Sequence, residues 1–207
     1  MTYLGYPVLD AATHNMRESI SESFARIGTM VENPTGRRTF DDHSSLAFPS
    51  RSFTWSATTR AECVALRAFL DACQGRLNAF WVPTYCLDLP LALDGSHLSS
   101  TLTIQKIGYL EGLAGVNARS YLAVRCPGQA MVIRRITGAA AIDDSSEAIA
   151  IDAAPPVDWP RDSTAISFLV LCRLASDMTP LRWHTSGLCE ATILFQEVPL
   201  EVPAGGA

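Results

Sequence analysis

The segment from Thr59 to Pro83 constrains this chain more than any other, because it encodes a helix and the strand after it in one continuous run. Thr59 and Glu62 stand at the spacing of a capping box, in which the threonine hydroxyl accepts the N–H three residues on and the glutamate reaches back to the cap. Cys63, Leu66, Leu70 and Cys73 then recur at steps of three, four and three, along one face of a 3.6-residue period, while Arg60, Arg67 and Asp71 fall elsewhere. Gly75 follows, suited to the left-handed conformation that ends helices. The spacing predicts a helix over about 59–74. Leu77 to Val82 is rich in strand formers and closes at Pro83, which has no N–H for a sheet ladder. No catalytic cluster lies in this stretch, so the best-specified part of the chain is scaffold.

Around that unit the patterning is β. Residues 17–30 alternate imperfectly, and Ile20, Phe24 and Ile27 also satisfy a helical period, but frequent serine and the turn-forming Asn33-Pro34-Thr35-Gly36 favour a strand. Arg37 to Phe40 and Ser50 to Trp55 read as strands, the second with Phe53 and Trp55 on one face and Ser52 and Thr54 on the other, as in a sheet packed on one side. The first 16 residues read as an extended arm or edge strand. Residues 91–117 are broken by Asp94-Gly95-Ser96, Gly108, Gly112 and Gly115, and read as a connection carrying one short strand, Leu102 to Ile107.

Beyond it come short β-type runs, Tyr121 to Val124, Ala130 to Thr137, Ala148 to Asp152 and Ala165 to Leu174, separated by turn chemistry such as Cys126-Pro127-Gly128. This spacing predicts a small barrel or sandwich. Ile166 to Leu171 is almost continuously apolar, as in a strand covered on both faces. Leu181 to Thr185 and Cys189 to Val198 flank Ser186-Gly187 as a terminal hairpin, with Ala191, Ile193, Phe195 and Glu197 on one side and Thr192, Leu194 and Gln196 on the other.

Charge and cysteine usage exclude several functions. Sixteen basic and 21 acidic side chains give a formal charge of -5, against a nucleic-acid footprint. No run approaches the roughly 20 apolar residues of a membrane helix. The start lacks the basic end and apolar run of a signal peptide, so folding in a cytoplasm is expected. The six cysteines include no C-x-x-C pair and match no common zinc or cluster spacing, which makes them structural thiols. No cofactor and no metal are expected.

The candidate reactive residues each have a plain structural reading. His14, His43, His97 and His184 are scattered, and His43 beside Asp41 and Asp42 has ordinary loop composition. Asp143-Asp144 and Asp158/Asp162 lack an EF-hand frame, and the glycines at 108, 112 and 115 lack phosphate-loop spacing. Arg134 and Arg135 fall on opposite faces of a strand, which favours a solvated strand or a subunit contact over a phosphate cradle. Trp81 and Trp183 could stack on a sugar or fill a core or protein interface.

Taken together, Gly36 to Phe40, Pro49 to Trp55, Arg60 to Leu70 and Gln74 to Pro83, with Trp159 to Ser163, Leu181 to Thr185 and Glu190 to Pro199 closing the chain, resemble minor tail proteins of tailed bacteriophages over about residues 20–200. Size and layout are most similar to the distal tail protein of long-tailed phages. The resemblance implies a tail-tube-like β-sandwich with one flanking helix in a closed, hexameric ring that joins tail tube to baseplate. Its implied partners are the tube protein and the hub or tail-tip proteins, with genomic DNA only passing through the lumen. It implies a virion protein, assembled in the bacterial host cytoplasm without membrane insertion, and it carries over no catalytic residue.

The expected layout is therefore mainly β. A sandwich domain of residues 1–95 and 177–203 carries the helix, a small β-barrel or β-sandwich is inserted at 96–176, and 204–207 form a disordered tail. The expected function is a structural tail or baseplate ring component, not an enzyme. The residues expected at its interfaces are Phe53, Trp55, Phe80, Trp81, Arg134, Arg135 and Trp183. Two rivals remain. One is a phage carbohydrate- or receptor-binding module, which exposed tryptophans around a groove would favour. The other is a thiol-dependent hydrolase using Cys86, Cys126 or Cys189, which requires a cysteine within hydrogen-bond reach of His43, His97 or His184.

Overall fold

A computed structural model of the chain describes residues 1–10, 15–16, 20–25, 28–32, 36, 38–42 and 48–203. His14, His43, the 33–35 part of the expected turn and the 204–207 tail lie outside the described residues. The protein is mainly β, with 46% strand and 14% helix. Strands β1 (Thr2–Tyr3), β2 (Tyr6–Pro7), β3 (Asn15–Met16), β4 (Ser21–Ala25), β5 (Gly28–Glu32), β6 (Arg38–Asp42) and β7 (Phe48–Ala57) precede helix α1 (Arg60–Cys73). Then come β8 (Phe80–Pro83), β9 (Thr101–Gln105), the short helix α2 (Tyr109–Gly112), β10 (Tyr121–Arg125), β11 (Val132–Ala141), β12 (Ser146–Ile151), β13 (Ala165–Leu174), β14 (Leu181–Thr185) and β15 (Leu188–Glu197).

The chain divides into two compact units, one of Ala11–Phe80 with Cys172–Val198, the other of Met1–Asp10, Trp81–Leu171 and Pro199–Ala207. These bounds differ from those expected. Residues 1–10 and 81–95 group with the central part of the chain because Trp81 holds the N-terminal arm. Its indole N–H donates to the Tyr3 carbonyl at 3.0 Å, and its backbone carbonyl accepts from the Leu9 N–H at 2.8 Å.

The first unit, which carries the helix, is built on β7 and β15. They pair antiparallel from Ala57↔Cys189 to Ser50↔Gln196. Phe53, Trp55 and Ala57 of β7 and Ala191, Ile193 and Phe195 of β15 fall on one face and are buried. Thr54 and Ser56 on the opposite, polar face are also covered, whereas Thr192 and Leu194 there stay exposed. Helix α1 lies against β7 and β15 and buries Cys63, Leu66 and Cys73. Phe80 meets Phe69 at 5.2 Å and Phe195 at 6.0 Å, both edge-on, the arrangement aromatic quadrupoles favour.

The N-terminus of α1 is a complete capping box. The Glu62 N–H donates to Thr59 Oγ1 at 3.2 Å, and Glu62 Oε2 accepts from the Thr59 N–H at 3.1 Å. At the other end Gln74, with φ of 49°, is the left-handed cap, and Gly75 follows at φ 63°. The Leu77 and Asn78 N–H groups then donate back to Gln74 and Cys73 carbonyls. That turn uses up residues 77–79, so β8 begins at Phe80 and not at Leu77 as expected.

The second unit is an antiparallel series in the order β13, β10, β11, β12, β9. β11 pairs with β10 from Val132 to Arg135 and with β12 from Ile136 onward, with a register shift between Ile136 and Gly138. A bulge of this kind bends a strand so that it can serve two sheets. Residues 166–171 of β13 are buried throughout, as their apolar run predicts. Trp81, Tyr109, Tyr121 and Trp159 are the largest buried side chains here. Helix α2, absent from the sequence expectation, starts at Gly108 with φ 76° and is held by buried Glu147, whose carboxylate accepts from the Gly108 and Tyr109 N–H groups at 3.1 and 3.0 Å.

Candidate functional site

In the helix-bearing unit, one side of β7 is taken by β3 and β4, and the far side of β15 by β14 and the end of β13. β4 and β14 thus bound the sheet on opposite sides, and among the described residues neither is paired on its outer side. Such strands present unpaired N–H and C=O groups to any incoming chain. Each also carries an exposed aromatic: Phe24 on β4 is 69% exposed and Trp183 on β14 is 45% exposed.

Trp183 is fixed in place. The Arg60 guanidinium sits 5.7 Å from its ring centroid and is itself anchored by a 2.9 Å bond from Nη1 to the Ser186 carbonyl. The ribbon of β5 and β6, paired from Gly28↔Asp42 to Glu32↔Arg38, pairs with no other strand among the described residues and leaves Met30 exposed. A lone two-stranded ribbon is marginal in water and gains from being covered.

Four of the expected interface residues are core residues instead. Phe53 is 1% exposed and Trp55, Phe80 and Trp81 are fully buried, so a neighbouring subunit cannot reach them. The alternation that marks them shows which strand face is apolar, but not whether the chain covers that face itself. Arg134 is half-buried and spends its guanidinium on its own backbone, donating to the Ile133, Ala153 and Ala154 carbonyls. Arg135 is half-buried as well. Trp183 is the expected residue that remains open. Phe24 was the missed one; its signal is a single large apolar side chain among Ser21, Glu22 and Ser23.

Among the described residues both imidazoles lie against carboxylates. His97 Nδ1 lies 2.7 Å from Asp158 Oδ1 and His184 Nε2 lies 3.1 Å from Glu190 Oε2. Donation from the His97 backbone N–H, then from its ring, holds the Asp158 carboxyl below its usual range. Cys189 is buried, and burial together with Cys63 pushes its thiol up to about 11. Cys126 Sγ is approached by Thr164 Oγ1 at 3.8 Å, and Cys86 is exposed. A thiol with a raised pKa carries little nucleophilic thiolate at neutral pH. Among the described residues no group of three or more His, Cys, Asp or Glu could hold a metal ion. Among the described residues no helix is long and apolar enough to cross a membrane.

Compared with models of known protein families and with curated proteins, the chain matches none.

Proposed function

We propose that this chain is a structural ring subunit of a bacteriophage tail, joining the tail tube to the baseplate or tail tip. The observation that carries the reading is that β4 and β14 lie on opposite sides of one sheet, each unpaired on its outer side among the described residues. A patch on one flank that meets a different patch on the opposite flank makes a head-to-tail contact, and such contacts close identical subunits into a ring when the rotation fits. Phe24 gives the β4 flank an exposed aromatic of the kind enriched at interfaces. The mainly β fold with one flanking helix agrees with what the resemblance over residues 20–200 implies.

In this reading the tube protein and the hub or tip proteins meet the two ring faces, and DNA passes through the lumen without binding. A net charge of -5 suits that role, since like charge keeps phosphate from adhering.

Amide hydrogen exchange at low and high protein concentration tests it. Residues 21–25 and 181–185 should gain protection as concentration rises, because ring closure would pair their outer N–H groups. Equal exchange rates at both concentrations would reject these edges as the interface.

A further inference from the structure

We propose that the helix-bearing unit binds a neutral oligosaccharide in the groove between α1 and β14. This inference does not depend on the ring, because the groove is formed within one unit of one protomer. The cavity is about 440 Å³, within the roughly 300–1,000 Å³ of small-molecule sites. Arg67, Asp71 and Gln74 line it from the end of α1, and Asp177, Thr179 and Trp183 from the other side.

Three features select a sugar. First, Trp183 offers a large, rigid, partly exposed ring, held by Arg60, and sugar rings present C–H faces that stack on such a surface. Second, polar groups surround that platform. The Gln74 side-chain amide and the Thr179 hydroxyl line the groove. Asp71 has only a 4.0 Å approach from Arg67, with both side chains more than two-thirds exposed. These donors and acceptors match vicinal hydroxyl groups. Third, the groove carries no net charge. Arg67 balances Asp71, and Asp177 is neutralised by Arg76, whose Nη2 lies 2.9 Å from Asp177 Oδ2. A phosphate or a carboxylate ligand would find no excess cation, and a polyamine no excess anion.

Edge pairing and sugar binding can coexist on β14. A neighbouring strand would pair in the sheet plane, whereas side chains stand perpendicular to that plane.

Tryptophan fluorescence tests the proposal cleanly, because the other three tryptophans, Trp55, Trp81 and Trp159, are 1% exposed or less. Acrylamide quenching therefore reports Trp183. The purified full chain is titrated with chitotriose, cellotriose and maltotriose. At least one should change the emission saturably and slow the quenching, and isothermal titration calorimetry should show it binding at least tenfold more weakly to Trp183→Ala. Val64→Ala, at an exposed position of α1 outside the groove, should bind as the native chain does. The proposal is overturned if none of the three probes protects Trp183 up to about 10 mM, or if Trp183→Ala leaves the affinity unchanged. The protection measurement needs no variant, so a misfolded substitution would not obscure the result.

Discussion

Arg51 and Glu197 form an ion pair inside the helix-bearing unit, Nη2 to Oε1 at 3.4 Å, with side chains 9% and 3% exposed. Glu22 Oε1 joins them, 2.7 Å from the same Nη2. Burial works against the guanidinium charge, but Glu197 and Glu22 outweigh it and hold the Arg51 pKa above its ordinary value. Removing one partner of a buried pair strands the other, at a cost of about 3–5 kcal/mol. Arg51→Met should lose stability of that order in urea denaturation. Adding Glu197→Leu should recover most of the loss, because the stranded carboxylate is then gone.

The capping box makes a smaller, local prediction. Thr59→Ala removes the acceptor for the Glu62 N–H and should cost about 1 kcal/mol, seen as a lower thermal midpoint by circular dichroism. Glu62→Ala should also destabilise α1, since Glu62 Oε2 accepts from the Thr58 N–H and hydroxyl as well as from the Thr59 N–H.

Gly75 is required by geometry at the groove wall. Its φ is +63°, and a Cβ there would fall 2.6 Å from Asp177 Oδ1 and 3.0 Å from Asp177 Cα. The left-handed strain alone is about 1–2 kcal/mol, and displacement of Asp177 would break its bonds from Arg76 N, Nε and Nη2. Gly75→Ala should therefore destabilise by more than the strain figure, measured in urea. The Arg76 bonds hold the Asp177 carboxyl below its usual range. That contribution is present above the ordinary carboxylate pKa and is lost as pH falls through the depressed value.

Thiol chemistry gives an alkaline prediction. Burial pushes Cys73 up to about 12, and burial with Cys63 pushes Cys189 up to about 11, from an ordinary 9.0. A raised acid pKa means that the folded state keeps a proton the unfolded state gives up. The resulting stability is complete below pH 9 and is lost as pH rises toward 11 and 12. A disulfide-exchange reagent at mildly alkaline pH should label exposed Cys86 rapidly and reach Cys73 and Cys189 only in denaturant. Cys86→Ser should remove the fast phase.

Local and periodic signals account for most of what could be read before the structure. The Thr59/Glu62 box and the Cys63, Leu66, Cys73 face of α1 need only residues within the one helix and its cap. The alternation of Ala191, Ile193, Phe195 and Glu197 is the burial alternation of β15, including Glu197, whose charge is met by Arg51. Long-range devices left no such trace. Helix α2 depends on Glu147, 38 residues beyond Tyr109, to satisfy its first N–H groups. The placement of Trp81 depends on Tyr3 and Leu9 near the N-terminus. The candidate site was half legible. Trp183 has the right residue type, yet so do Trp55 and Trp81, and only the fold separates the exposed tryptophan from the buried ones.

The central claim is that β4 and β14 join one copy to the next in a closed ring. Sedimentation velocity of the purified 22.4 kDa chain over a range of concentrations, with negative-stain images of the same samples, tests it most directly. The account predicts one closed species of several protomers, six in the form the resemblance implies, seen as an annulus. A chain that remains a single protomer at every concentration, with no annulus in the images, would contradict it.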